Sequence, residues 1–223
     1  MKNLKEYIVE GIFDIDDNID NIDESIKDQI KRFLKDNFDG ASLYKISDKP
    51  NKDGKYEVTC SKNIEVKNKN IVSLTNGMFI WTTVGGNFNC RSCHSLTSLK
   101  GAPKEVRGEF NCRYCYSLTS LKGAPKEVRS FYCHHCHSLK TLEGAPEKVG
   151  KYFDCSECKS LETLEGAPKE VGGDFTCSDC NSLRSLEEAP KEVGGDFTCN
   201  ECKIKFTEED VKKVSNVKGN IYV

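Results

Sequence analysis

Phe175-Thr-Cys177-Ser-Asp-Cys180-Asn-Ser-Leu183-Arg-Ser-Leu186-Glu-Glu-Ala-Pro190-Lys-Glu-Val193-Gly-Gly-Asp is one copy of a unit that fills most of the chain. Its Cys-x-x-Cys pair recurs as Cys90/Cys93, Cys112/Cys115, Cys133/Cys136, Cys155/Cys158, Cys177/Cys180 and Cys199/Cys202, at intervals of 22, 21, 22, 22 and 22 residues. A fixed period of this length is the signature of a solenoid, in which each coil touches only its neighbours. Phe-x-Cys alternates with period two, so Phe and Cys face inward. Asn89, Asn111, Tyr132, Asp154, Thr176 and Thr198 then face outward. With two Leu and a Val, each unit offers six inward positions. Their burial does not offset the cost of ordering a whole coil, so the unit folds only as part of a stack.

The repeat extends beyond the cysteine pairs at both ends. Ile64-Glu-Val66 followed by Ile71-Val-Ser-Leu74 matches Phe88-Asn-Cys90 followed by Leu96-Thr-Ser-Leu99. A few extra residues around Trp81 precede Val84-Gly-Gly-Asn-Phe88, and Val217-Lys-Gly-Asn-Ile221 overlays Val193-Gly-Gly-Asp-Phe197. The organisation expected is a targeting or linker segment (1–22), a helix-and-hairpin cap (23–63), a repeat solenoid (64–206) and a C-terminal cap (207–223). In the first cap, Asp23 reads as an N-cap for a helix over about 24–37, with Ile26, Ile30, Phe33, Leu34 and Phe38 at helical spacing against the first coil. Tyr44–Ser47 and Tyr56–Cys60 flank Pro50-Asn-Lys-Asp-Gly54 as a hairpin. Thr207-Glu-Glu-Asp210 opens a capped C-terminal helix. The fold class expected is therefore mainly β, a solenoid of about 22-residue coils with a helix-and-hairpin cap at its N-terminal end and a short capping helix and strand at its C-terminal end.

The 223 residues carry a net charge of −2, which gives no reason to expect general binding to a phosphate backbone. No run approaches membrane-spanning length, and the start does not read as a secretory signal. With 13 cysteines the count is odd, so at least one cannot pair within the chain. They read as reduced intracellular thiols or metal ligands, not as a disulfide framework.

Phe-x-Cys-x-x-Cys-x-Ser-Leu-x-x-Leu resembles the leucine-rich-repeat motif over about residues 64–223, with the second cysteine of each pair at the Asn/Cys ladder position. That resemblance implies that Cys93, Cys115, Cys136, Cys158, Cys180 and Cys202 turn toward loop backbone. The Gly-Gly before Phe departs from the motif. The wording Ser-Leu-x-Ser-Leu-x-Gly-Ala-Pro-Lys-Glu-Val-Gly-Gly is similar to repeat proteins of tailed bacteriophages. Met1-Lys-Asn-Leu-Lys-Glu-Tyr-Ile8-Val9-Glu10-Gly11 resembles the capsid-targeting peptides of internal head proteins in T-even-type phages. That likeness implies cleavage after Glu10, with Gly11 as the new terminus. It also implies packaging in the virion and a place of action in the host cytoplasm. The alternative for the same residues is a plain amphipathic segment.

The paired cysteines also have zinc spacing. Cys90/Cys93 and Cys112/Cys115 are separated by eighteen residues, within the range of four-thiolate sites, and the same holds for the pairs that follow. Against zinc stands the frequency with which cysteine serves as a small buried hydrophobe. No cofactor is the first expectation and zinc the alternative. Cys90-Arg-Ser-Cys93-His94 and Cys133-His-His-Cys136-His137 have the form of a c-type haem attachment site. Tyr116, Lys159, Asn181 and Lys203 stand at the histidine position elsewhere, so histidine is no part of the unit. Six repeated pairs also disfavour a thioredoxin-like centre. Asp14-x-Asp16-x-Asn18 lacks the Gly and Glu of a calcium loop, with Ile19 and Ser25 in their places.

No nucleophile–base arrangement emerges, so an enzyme is not expected. Variation concentrates on one surface instead. Arg91, Arg107, Arg113, Tyr114, Tyr116, Arg129, Tyr132, His134, His135 and His137 crowd the first cysteine repeats; acids at Asp154, Glu157, Asp174, Asp179, Asp196 and Glu201 follow. Arg and Tyr are enriched at binding hot spots. The function expected is a non-enzymatic scaffold that engages a host or phage protein through Arg91, Arg113, Tyr114, Tyr116, Tyr132, His134 and His135. A zinc-stabilised adaptor and a nucleic-acid module using the basic–aromatic end are the alternatives; membrane association is not expected.

Overall fold

The Phe–Cys alternation closes into a parallel ladder. A computed structural model of the chain describes residues 19–40 and 43–223. Eight short strands, Ile64–Glu65, Phe88–Asn89, Glu109–Asn111, Ser130–Tyr132, Phe153–Asp154, Phe175–Thr176, Phe197–Thr198 and Ile221–Tyr222, form one parallel sheet. Its register runs Ile64, Phe88, Phe110, Phe131, Phe153, Phe175, Phe197, Ile221. The molecule is thus a β-solenoid of about eight coils spaced about 22 residues apart.

A second parallel sheet is built from the Lys-Glu-Val or Glu-Lys-Val segments of four coils, Glu127–Val128, Lys148–Val149, Glu170–Val171 and Glu192–Val193, and is closed by Asn216–Val217. The Gly-Gly that departs from the leucine-rich pattern is the corner between the two sheets. Coils stack so closely there that a Cβ on Gly194 would lie 2.4 Å from the carbonyl oxygen of Gly172. A third, four-stranded sheet carries the hairpin Tyr44–Ile46/Tyr56–Cys60, antiparallel as the sequence predicts, followed by Phe79–Val84 and Glu105–Val106 in parallel.

Between the sheets lie the six inward positions of each of the five coils that begin at Phe88, Phe110, Phe131, Phe153 and Phe175, all buried. The phenylalanines form a continuous column, with Phe88, Phe110, Phe131, Phe153 and Phe175 stacked at ring separations of 5.2 to 5.6 Å. Such offset stacks contribute about 0.5–1.5 kcal/mol per pair beyond the area buried.

Helix α1 (Ile19–Asn37) covers the first coil, with Ile30, Leu34 and Phe38 buried and Phe38 edge-on to Trp81 at 5.3 Å. Its last turn is tied down by Lys67 N–H donating to Asn37 O (2.9 Å) and Asn68 Nδ2 donating to Asn37 Oδ1 (2.7 Å). One expectation is corrected here. The helix spans Ile19–Asn37, so Asp23 lies inside it and not at its N-cap position. Ile19 and Ile22 stand at helical spacing before Ile26, so the apolar pattern already runs through the acidic turns. Helix α2 (Glu208–Val214) has the expected capping box, with Asp210 N–H donating to Thr207 Oγ1 and Thr207 N–H donating to Asp210 Oδ2. The calcium-like run Asp14–Asn18 and the Glu10/Gly11 cleavage point lie outside the described residues. No helix among the described residues is long and apolar enough to cross a membrane.

Candidate binding surface

The segment between the paired cysteines is a tight corner, and each one contains a residue in left-handed conformation. These are Ser92, Tyr114, His135, Glu157, Asp179 and Glu201, with φ between 55° and 60°. The corner then lets the second cysteine turn inward. Its thiol donates to the carbonyl of the first cysteine one coil back: Cys115 to Cys90 O (3.2 Å), Cys136 to Cys112 O (3.3 Å), Cys158 to Cys133 O (3.3 Å), Cys180 to Cys155 O (3.3 Å) and Cys202 to Cys177 O (3.4 Å). This is the contact with loop backbone that the ladder position implies.

Burial pushes the Cys112, Cys155 and Cys177 thiols well above their ordinary range and lifts Cys93 to about 12. Thiols in such surroundings are poor nucleophiles. Zinc would need thiolates, whereas the second thiol of each coil from Cys115 to Cys202 gives its proton to a carbonyl. Among the described residues no group of three or more His, Cys, Asp or Glu converges as a metal-binding set. The zinc alternative therefore gains no geometric support.

The same corners aim the variable residues outward and, coil on coil, stack them. His94, Tyr116 and His137 occupy one position in three successive coils. Their rings lie face to face at 4.9 Å and 5.0 Å, tilted by 8° and 23°. Beside them runs a second column. The Arg91 guanidinium sits 4.9 Å above the Tyr114 ring, Tyr114 stacks on His135 at 4.5 Å and 14°, and His135 Nε2 lies 3.0 Å from Glu157 Oε1. Tyr114 meets Tyr116 edge-on at 6.4 Å and His134 edge-on at 5.5 Å, which joins the columns into one surface. His134 Nδ1 lies 2.8 Å from Asp154 Oδ2. Partial burial and the neighbouring His134, His137 and Lys159 lower the His135 pKa against the opposing pull of Glu157. Burial pushes Asp154 upward, but hydrogen bonds from His134 and Ser156 outweigh it and leave its carboxyl below the ordinary range.

Of the residues expected at the surface, the structure brings together Arg91, Tyr114, Tyr116, His134 and His135. Arg113 shares the corner position of Arg91 one coil on, with its backbone N–H held by Asn111 Oδ1 at 3.2 Å. Tyr132 stays apart: it sits on the strand face between Asn111 and Asp154 and, among the described residues, makes no ring contact with the columns. Arg107 pairs with Glu105 at 3.0 Å on the return path. Two of the acidic residues are structural rather than a charged face. Asp174 Oδ1 accepts the N–H of Asp196 (2.9 Å), and Asp196 Oδ1 accepts the N–H of Asn220 (2.7 Å). Asn63 and Asn87 do the same for Asn87 and Glu109 at the other end. His94 was missed, although its place directly after Cys93 matches Tyr116 and His137.

Fold and surface together define a class: a β-solenoid with a uniform thiol-and-phenylalanine core and one patch of stacked tyrosine, histidine and arginine at its inter-cysteine corners. The chain matches no family model, no curated protein and no solved structure.

Proposed function

We propose that the chain is a non-enzymatic binding scaffold whose stacked columns engage a protein partner. The observation that carries this is the strain at Tyr114, whose ring stacks on His135 in the same corner one coil on. A left-handed backbone is cheapest for Gly and next for Asn or Asp, and a bulky residue there is an outlier. The fold needs that corner in every coil but needs no aromatic ring in it, since Ser92, Glu157, Asp179 and Glu201 make the same turn. Large rings at a strained, outward position are what selection for contact area would retain, and such strain clusters at functional sites. Rings already stacked on one another also lose little freedom on docking, which lowers the cost of association.

The fuller form of the proposal rests on the repeat wording and on Met1–Gly11. The protein would be phage-encoded, packaged in the virion, trimmed after Glu10 and delivered to the host cytoplasm. There it would occlude a host protein, with a defence factor as the sharpest candidate. The test is affinity capture from bacterial lysate with the full chain beside a Tyr114→Asn/Tyr116→Ala variant. A stoichiometric partner held by the parent and lost by the variant is the expected result. Identical captures by both would overturn it.

A further inference from the structure

Several basic residues on the coil flanks have a glutamate beside them: Lys122 with Glu143, Lys126 with Glu147, and Lys140 and Arg184 with Glu162. Arg91 and Arg113 do not. They follow the first cysteine of adjacent coils, so two like charges stack in one column, and among the described residues no carboxylate lies within ion-pair distance of either. The Arg113 Nε is buried and has no hydrogen-bond acceptor there. A buried, unsatisfied donor on a charged group is costly enough to need an explanation.

The next coil supplies a template. In the same column stands His134 with Asp154 at 2.8 Å, and beside it His135 with Glu157 at 3.0 Å. Carboxylates within the chain thus lie against His134 and His135, and among the described residues none lies against Arg91 or Arg113 at the corresponding corners of the first two cysteine repeats. The rings around them have their faces occupied by one another. What they present outward is edges, the positive part of an aromatic quadrupole.

We propose, building on the binding surface above, that Arg91 and Arg113 form a carboxylate clamp and that the partner docks a short acidic peptide segment across the first two cysteine repeats. Tyr114 holds the Arg91 guanidinium by its face, and planar guanidinium groups take carboxylates in paired hydrogen bonds. A nucleic-acid strand fits less well. It needs a basic face extended along its backbone, whereas this column is neutral at Ser156, Ser178 and Asn200, and the corner position beside it turns acidic at Glu157, Asp179 and Glu201.

The test is fluorescence anisotropy with a labelled Asp/Glu peptide of about ten residues, the extended-segment scale of peptide recognition. Its Asn/Gln isostere and an oligothymidine serve as the other probes. Each is titrated against the full chain and against Arg91→Gln/Arg113→Gln, with circular dichroism to establish that the variant is folded. The acidic peptide should bind, the amide peptide should not, and the double variant should lose about tenfold or more in affinity, as for removal of one side of a charge pair. Equal binding of the two peptides, or an unchanged affinity in the folded variant, overturns the clamp. Tighter, Arg-dependent binding of oligothymidine overturns it in favour of nucleic acid. A lysate partner that depends on Tyr114 and Tyr116 but not on Arg91 and Arg113 leaves the scaffold function standing and removes the clamp alone.

Discussion

The turn that closes each Leu-x-Gly-Ala-Pro segment places its glycine in left-handed conformation: Gly101, Gly123, Gly144 and Gly166 have φ of 88°, 103°, 90° and 84°. The next coil has Glu188 at that position with φ of 62°, its side chain exposed. Glu188→Gly should therefore stabilise the protein. An L-residue in this region costs about 1–2 kcal/mol, and glycine gives back about 0.4–1 kcal/mol through the entropy of the unfolded chain. The net gain is on the order of 0.5–1 kcal/mol, or a rise in Tm of roughly 1–4 °C for a chain of this size. The reverse change should be worse than neutral. At Gly144 an added Cβ would lie 2.5 Å from the amide nitrogen of Lys122, which is backbone and cannot step aside. Gly144→Ala therefore adds overpacking to the dihedral cost, for a loss of about 2–4 kcal/mol. Urea titration followed both by far-UV circular dichroism and by the fluorescence of Trp81 would measure each. The buried Trp81 reports on the capped end, so disagreement between the probes would also reveal whether the array unfolds in parts. A neutral or destabilising Glu188→Gly would refute the account of this turn.

Cys136→Ser should cost less than Cys177→Ser by about 1–3 kcal/mol. A hydroxyl at 136 inherits the acceptor Cys112 O, whereas Cys177 has no thiol acceptor among the described residues; a reversed order in urea titration would sink the ladder assignment. Acid should weaken the fold in two stages. His135, facing Tyr114, His134, His137, Glu157 and Lys159, has its pKa held below 6.5, so the unfolded chain protonates first and stability falls as pH drops from about 6.5. Asp154, held below 3.8, contributes stability above that value and loses it as pH falls through its folded pKa. His135→Gln should remove the first stage from a plot of Tm against pH. Tyr114→Asn exchanges three ring contacts and the Arg91 cation–π contact, about 0.5 kcal/mol each at such a surface, for relief of a corner that costs about 1–2 kcal/mol, so stability should change by no more than about 1 kcal/mol while partner capture is lost; a large loss of stability would make Tyr114 a structural residue. Intact mass of the protein taken from purified virions should correspond to a chain starting at Gly11, and an unprocessed Met1 terminus would count against the targeting peptide.

Legibility in the sequence followed distance along the chain. Whatever one unit settles by itself could be read off: the period-two Phe-x-Cys strand, the Leu positions, the inward Val (though not the second strand it sits on), the inward second cysteine and the Thr207 cap. What the unit does only through its neighbour could not. Asp174 and Asp196 look like surface charge until the next coil brings a backbone N–H to each carboxylate. Arg91 and Tyr114 occupy different places in their units, first and second after the cysteine, and become a pair only when the coils are laid on one another. The left-handed corner was hidden for another reason. Ser, Tyr, His, Glu, Asp and Glu fill it, and no glycine marks it. Tyr132 was grouped with the patch because it is close in sequence, but strand alternation points it to a different face.

The corner between the cysteines joins these observations. Its inward half is constant, because from Cys115 to Cys202 each second thiol reaches the carbonyl one coil back. Its outward half is free of the core, since residues as different as Ser92 and Tyr114 sustain the same φ. A position held rigid from behind and unconstrained in front is where a solenoid can change its surface without changing its fold. Parallel stacking then converts any substitution made in adjacent units into a contiguous patch, because corresponding residues land about 5 Å apart. Three consecutive substitutions are enough to make the His94–Tyr116–His137 column, and two neighbouring arginines are enough to leave a charge pair unanswered. The thiol ladder and the aromatic patch are therefore two sides of one turn, the first making the second rigid enough to bind.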